Sequence, residues 1–206
     1  MPIHSHISDP QFQAIFWHID SEEFTQRNID ELPAAIQPRL AQRKSAVHRQ
    51  GFWAVREACK ALALDPNQIT YASDGAPLYP SVEISISHSK SMALVGRSES
   101  PLGVDVEQFT PKIHRIQKRF HHPQESFEGD ETQGLVQLWT AKEALYKTLR
   151  IPGISFKEQL RVAPFSVGDT QGTASFIEGD NLRHFDLYYF YGEAYVASIA
   201  IEHLGL

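Results

Sequence analysis

Apolar and polar positions recur along the chain with two different periods, and the switches between them divide it into elements. Over residues 38–64, Leu40, Val47, Ala54, Ala58, Ala61 and Leu62 fall near helical spacing until Asp65-Pro66-Asn67 stops the pattern. This predicts one helix, made basic by Arg39, Arg43, Lys44, Arg49 and Arg56. Asp74-Gly75-Ala76-Pro77 reads as a turn, and residues 82–88 then alternate with period two, as a half-buried strand does. Further strands are predicted at 92–96 and 102–107, and helices at 111–120 and 133–150, closed by the turn Pro152-Gly153. Two runs rich in aromatic and β-branched residues, 185–191 and 195–202, flank Gly192-Glu193 and predict a hairpin. The sum is an α+β chain in two comparable halves, 1–102 and 103–206.

Composition narrows the class. With 206 residues, 42% apolar and 21% charged, the chain is long and apolar enough to bury a sizeable core, which excludes wholesale disorder. Nineteen basic against 25 acidic side chains give a net charge of −6, which argues against nucleic acid or an anionic membrane as partner. The single cysteine, Cys59, forms neither an internal disulfide nor a Cys-rich zinc site and reads as core filler in a reducing compartment. The start, MPIHSHISDPQFQ, lacks the basic and apolar regions of a secretory signal, and the longest mostly apolar stretch, 194–201, is far short of the roughly 20 residues that span a bilayer. A cytoplasmic location is expected.

Three short segments carry candidate chemistry. In Leu102-Gly103-Val104-Asp105-Val106-Glu107, strand alternation points Asp105 and Glu107 the same way, so that both reach one hard cation, with Gly103 leaving room for a bulky ligand. A solvent-facing strand with two surface acids is the plain alternative. In Leu138-Trp139-Thr140-Ala141-Lys142-Glu143-Ala144-Leu145-Tyr146-Lys147, Glu143 and Lys147 have the spacing of an ordinary helical ion pair. Lys142 falls inside the stripe of Leu135, Leu138, Leu145, Tyr146 and Leu149, where an ammonium needs a partner, either a bound anion or a nearby acid. In Ser85-Ile86-Ser87-His88-Ser89, hydroxyls surround a histidine that reads either as structural or as an anion donor. The G-x-S-x-G, P-loop, HExxH and CxxC patterns are absent.

In order, ISISHS, GVDVE and LWTAKEALYK resemble the 4′-phosphopantetheinyl transferases of the surfactin-synthetase-activating type. Their pattern is (V/I)-G-(V/I)-D-x-E followed some 35 to 60 residues on by W-x-x-K-E-A-x-x-K, and Lys118 to Glu125 is similar to their R-F-F-x-P-x-E segment. The resemblance implies a pseudo-twofold pair of similar α+β halves with the active site in the cleft between them. The N-terminal half would contribute to coenzyme A binding and the C-terminal half would carry the metal motifs. It also implies a reaction: coenzyme A gives its phosphopantetheine arm to a serine of an apo acyl or peptidyl carrier protein, adenosine 3′,5′-bisphosphate leaves, and Mg²⁺ is required, Mn²⁺ substituting.

Carried over by position, Asp105, Glu107 and Glu143 would hold the metal, Lys147 would bind the pyrophosphate, and Glu143 would take the serine proton directly or through water. Ser87, His88, Gly75, Pro77 and Lys142 would contact coenzyme A, with Arg43 and Arg49 the candidates for its 3′-phosphate. The family further implies a monomer with no nucleic-acid or membrane partner. The chain departs from the family where many members have Gly-Lys-Pro (here Gly75-Ala76-Pro77), Gly-Arg (here Gly51-Phe52) and an asparagine (here Ser85). Two alternatives remain: another Mg²⁺-dependent phosphate-ester enzyme, such as a hydrolase of the coenzyme A pyrophosphate, and a carrier-docking module without turnover.

Overall fold

The run Phe12-Gln13-Ala14-Ile15-Phe16-Trp17, which shows no clean alternation, forms the centre of the N-terminal sheet. Ala14, Ile15, Phe16 and Trp17 are all buried because both faces of their strand are covered, and a strand covered on both faces has no polar side to reveal its period. In this computed structural model, residues 3–20, 24 and 27–203 are described. The strands are β1 (Ile3–Ser8), β2 (Phe12–His18), β3 (Thr70–Tyr71), β4 (Pro77–Leu78), β5 (Glu83–His88), β6 (Met92–Ser98), β7 (Leu102–Gln108), β8 (Phe127–Glu128), β9 (Leu160–Val162), β10 (Phe165–Ser166), β11 (Gln171–Glu178), β12 (Asn181–Tyr191) and β13 (Tyr195–Glu202). The helices are α1 (Gln37–Ala41), α2 (Ala46–Ala61), α3 (Gln117–Phe120) and α4 (Glu131–Leu149).

Two antiparallel sheets dominate: β1-β2-β6-β5 from the first half and β7-β13-β12-β11-β9 from the second. Their strand parity builds the layers. Ile15, Trp17, Ala93 and Val95 face α2 with Ala54, Ala58, Cys59 and Leu62. The alternate residues Ala14, Phe16, Met92 and Leu94 face Val104, Val106, Ala197 and Ile199 of the other sheet. That sheet turns Val196 and Ala200 outward against Leu135, Leu138, Ala141 and Leu145 of α4. Each sheet thus has a helix on one face and the other sheet on the opposite one. The α+β class expected from the sequence is borne out.

Local chemistry sets the element ends. The single helix expected over 38–64 is two, because Ser45 caps α2, its Oγ accepting the His48 amide at 3.2 Å. The helix expected over 111–120 is a 3-10 turn, Pro111–Arg115, followed by the single turn of α3. On α4, Asp130 Oδ1 caps the start through the Gln133 amide at 2.9 Å, and Arg150 ends it in the left-handed region at φ 53°. Among the described residues no helix is long and apolar enough to cross a membrane.

The sheets also meet edge to edge at β5 and β7, where Ser85, 3% exposed, accepts the Val104 amide through its Oγ at 3.0 Å. Beside this seam α4 presses on β7. A Cβ at Gly103 would lie 1.9 Å from the Ala144 carbonyl oxygen and 2.7 Å from the Thr148 amide nitrogen. The expectation that Gly103 leaves room for a ligand is therefore corrected: the space is filled by α4 itself.

Gly103→Ala forces α4 off β7. Denaturant unfolding should show a loss of about 3 kcal/mol or more, and a loss below about 1 kcal/mol would show that the helix yields cheaply.

Candidate active site

The seam gathers the two acids of β7 with the polar face of α4. Asp105 is 4% exposed. Its Oδ1 accepts from Ser87 Oγ and from Lys147 Nζ, each at 2.7 Å, and Lys147 also donates to the Val104 carbonyl at 3.0 Å. Oδ2 is buried with no hydrogen-bond partner. The ion pair of Lys147 is thus with an acid 42 residues away, not simply the in-helix pair that its spacing from Glu143 predicts.

Glu107 and Glu143 feel the same crowding of negative charge. Burial first, and then the Asp105 charge, push each from the ordinary 4.5 to about 7, with Lys147 opposing the rise in both. Glu143 adds to the rise at Glu107, and a hydrogen bond from Trp139 opposes it. Among the described residues, however, no group of three or more acidic, His or Cys side chains is arranged as a ready metal cage. Lys147 stands against Asp105, the acid expected to anchor such an ion. The donor set nevertheless fits a hard cation, since it is all oxygen, one oxygen is buried and unpartnered, and two carboxyls are held up by burial and by the Asp105 charge.

Beside the acids opens a cavity of about 370 Å³, lined by Arg39, Arg43, Phe52, Arg56, Tyr71, Gly75, Pro77, Ser87, His88 and Lys147, among others. Aromatic faces carry the guanidinium groups. The Arg39 Cζ lies 3.3 Å from the Tyr71 ring centroid, and Arg43 and Arg56 lie 5.6 and 5.8 Å from that of Phe52. Phe52 is therefore a platform for two arginines. Burial, followed by Arg43, His48 and Lys147, lowers the pKa of His88, so the imidazole is neutral and offers one N–H, not a positive charge. Gly51 makes room for that ring, since a Cβ there would lie 3.2 Å from it.

The structure brings together Arg43, Gly75, Pro77, Ser87, His88 and Lys147 in one cavity and sets two expected contacts apart. Arg49 lies in a separate hollow with Phe24, Arg27, Leu40 and Trp53. Lys142 is 0% exposed, and its ammonium donates to Glu125 Oε2 at 2.7 Å and to the carbonyls of Phe120 and Phe156 at 2.6 and 2.9 Å. All three of its donors are satisfied by the protein, so Lys142 is corrected from ligand contact to internal clamp. Burial lowers its pKa to about 8 while Glu125 opposes the fall.

The sequence reading missed Arg39, Arg56 and Tyr71 as cavity residues. The basic run along α1 and α2 was visible, but its period did not say which arginines share a face. A larger cavity of about 680 Å³, lined by Asp9, Arg97, Glu99, Asp186 and His203 among others, shares no residue with this site.

A largely buried acid cluster thus abuts an arginine-lined cavity. Residues 101–200, which carry β7 and α4, match the model of the 4′-phosphopantetheinyl transferase superfamily. The chain is 39% identical to a putative 4′-phosphopantetheinyl transferase of Synechocystis over 39% of this chain and 38% of the relative. It is 30% identical to a 4′-phosphopantetheinyl transferase of Bacillus subtilis over 50% and 53%, respectively. The chain thus spans about half the length, or less, of these curated relatives.

Lys142→Ala strands a buried carboxylate and should cost about 3–5 kcal/mol in denaturant unfolding, while coenzyme A affinity of the folded fraction stays within twofold; a large loss of affinity at unchanged stability would return Lys142 to the ligand contacts. The acid cluster also gives a pH signature. Folded carboxyls titrating near 7 against 4.5 when unfolded bind more protons than the unfolded chain between these values, so their contribution to stability is present below about 4.5 and lost as pH rises to about 7. In chelator, Glu143→Gln should flatten that fall relative to the parent chain; identical slopes would place the Glu143 titration elsewhere.

Proposed function

We propose that the protein is a phosphopantetheinyl transferase of the surfactin-synthetase-activating type. It moves the 4′-phosphopantetheine arm of coenzyme A to a serine of an apo acyl or peptidyl carrier protein and releases adenosine 3′,5′-bisphosphate. The observation that carries this reading is the joining of the two subsites by Lys147, which lines the cationic cavity and ion-pairs with Asp105. A diphosphate ester needs that pairing, with positive charge for its phosphates on one side and acids for its accompanying cation on the other. The halves 1–102 and 103–206, in a twofold relation, would supply the cavity and the acids in turn, acting as a monomer in the cytoplasm.

Asp105, with Glu107 and Glu143, would hold Mg²⁺. When bound, the ion neutralises charge on the phosphate oxygens. Arg43 and Arg39 replace the cation absent at Ala76 in binding the nucleotide phosphates, and the neutral His88 donates a hydrogen bond. Lys147 gives its ammonium to the oxygen that bridges the two phosphorus atoms, which leaves on the bisphosphate as its bond to the phosphopantetheine phosphorus breaks. Glu143 accepts the serine proton directly or through a water. Ser87 keeps Asp105 oriented through its hydrogen bond.

The test is mass spectrometry of apo carrier proteins incubated with the protein, coenzyme A and Mg²⁺. A phosphopantetheine-sized gain is expected with the parent chain, and Asp105→Ala or Glu143→Gln should abolish it while circular dichroism stays unchanged. Near-normal transfer by either variant, or bisphosphate release that does not need a carrier, would reject the reading, the latter in favour of hydrolysis.

A further inference from the structure

Asp105 is unevenly provided for. Oδ1 has two donors, one of them a full positive charge at 2.7 Å, whereas Oδ2, buried in the same carboxylate, has none. The charged donor also has the longer stem and the more open surroundings. Lysine is a compact charge on a flexible four-carbon stem, and the Lys147 side chain is 28% exposed and borders the cationic cavity. Its bond to the Val104 carbonyl, at 3.0 Å, belongs to the same β7 anchor, so one rotation of the stem toward the cavity releases both. Ser87, the neutral donor, would remain on Oδ1.

We infer that Lys147 is a resident counter-ion that holds the place of a divalent cation at Asp105 and yields it when an anionic ligand in the cavity draws the ammonium away. An ammonium on Oδ1 repels a cation approaching Oδ2 across a few ångströms of poorly screened space. In the ligand-free protein the cation site is therefore weakened by the protein's own charge. An anion filling the cavity gives the ammonium a new partner and restores Asp105 to the metal. Anion and cation then bind with positive coupling, and linkage makes the coupling reciprocal. The device deepens the transferase reading, on which the identity of the anion and of the metal rests. What it adds is an order of events in which the site assembles its cation fully only when the phosphates have arrived.

The test leaves out coenzyme A and carrier, so that it reads the cation alone. Mn²⁺ binding is measured by electron paramagnetic resonance of the free ion for the parent chain, Lys147→Gln, Lys147→Arg and Arg43→Gln. Couplings of this kind span about 5- to 150-fold, and Lys147→Gln should bind Mn²⁺ about tenfold tighter than the parent. Lys147→Arg keeps the charge, and Arg43→Gln removes a cavity charge that is not bonded to Asp105; both should stay within about twofold of the parent. Far-UV circular dichroism checks the fold, and Lys147→Met, which keeps the stem, serves if the glutamine variant unfolds.

Unchanged or weaker Mn²⁺ binding in Lys147→Gln overturns the inference, as does an equal tightening by Arg43→Gln, which would mark a general field. Absence of Mn²⁺ binding from every variant overturns both the counter-ion and the cation site it guards. Tightening in Lys147→Gln together with a parent chain inactive toward carriers would leave the counter-ion standing and remove the transferase.

Discussion

A carboxylate buried at the meeting of two sheet edges is the constraint around which the functional half of this molecule is built. An isolated ionised carboxylate is costly to remove from water, and the cost is offset only by donors and charge brought within hydrogen-bond reach. Asp105, on β7, obtains them from two other elements at once: β5 through Ser87 and α4 through Lys147. Each donor needs its element in place, so the carboxylate acts as a gauge of the seam. Ser85 on the Val104 amide and Gly103 under α4 fix the distances that let the donors reach it.

The same seam explains why acids and arginines do not neutralise one another. A cavity with Arg39, Arg43 and Arg56 beside three carboxyls would collapse into salt bridges if the side chains were free to meet. The guanidinium groups are instead placed over the rings of Tyr71 and Phe52, and Arg56 donates to Asn67 Oδ1 at 2.6 Å. Cation–π stacking keeps a guanidinium charged while satisfying much of its need for a negative partner. Lys147 is the exception among these cations in reaching the acids, because it alone rises from α4 between them.

What the sequence made legible follows from where each residue's partner lies. β7 and α4 showed their periods because each has one face in a core and one in the seam, and their acids fell where strand and helix geometry put them. β1 and β2 were illegible, β2 because both its faces are covered. Strands β9 and β10, of three and two residues, carry too few positions for a period to emerge, and the eight residues of β11 mix polar, small and apolar side chains. The split of α1 from α2 was hidden in one serine, whose cap is worth about 1 kcal/mol and leaves no mark on hydrophobic spacing. Lys142 was recognisable as an ammonium in need of a partner, but the partner, Glu125, is 17 residues upstream on a loop that no period describes.

That last case separates two lysines five residues apart on one helix. Lys142 and Lys147 are both paired to buried acids at 2.7 Å, yet one is 0% exposed and the other 28%. Lys142 has spent every donor on the protein, so moving it would strand Glu125 and two carbonyls in a closed interior. Lys147 has two protein acceptors on one strand and an open cavity beside it, so its ammonium can exchange one anion for another once a cation takes over the buried Asp105 carboxylate. Burial of the surroundings, rather than strength of the ion pair, decides which lysine is a clamp and which is free to take part in chemistry.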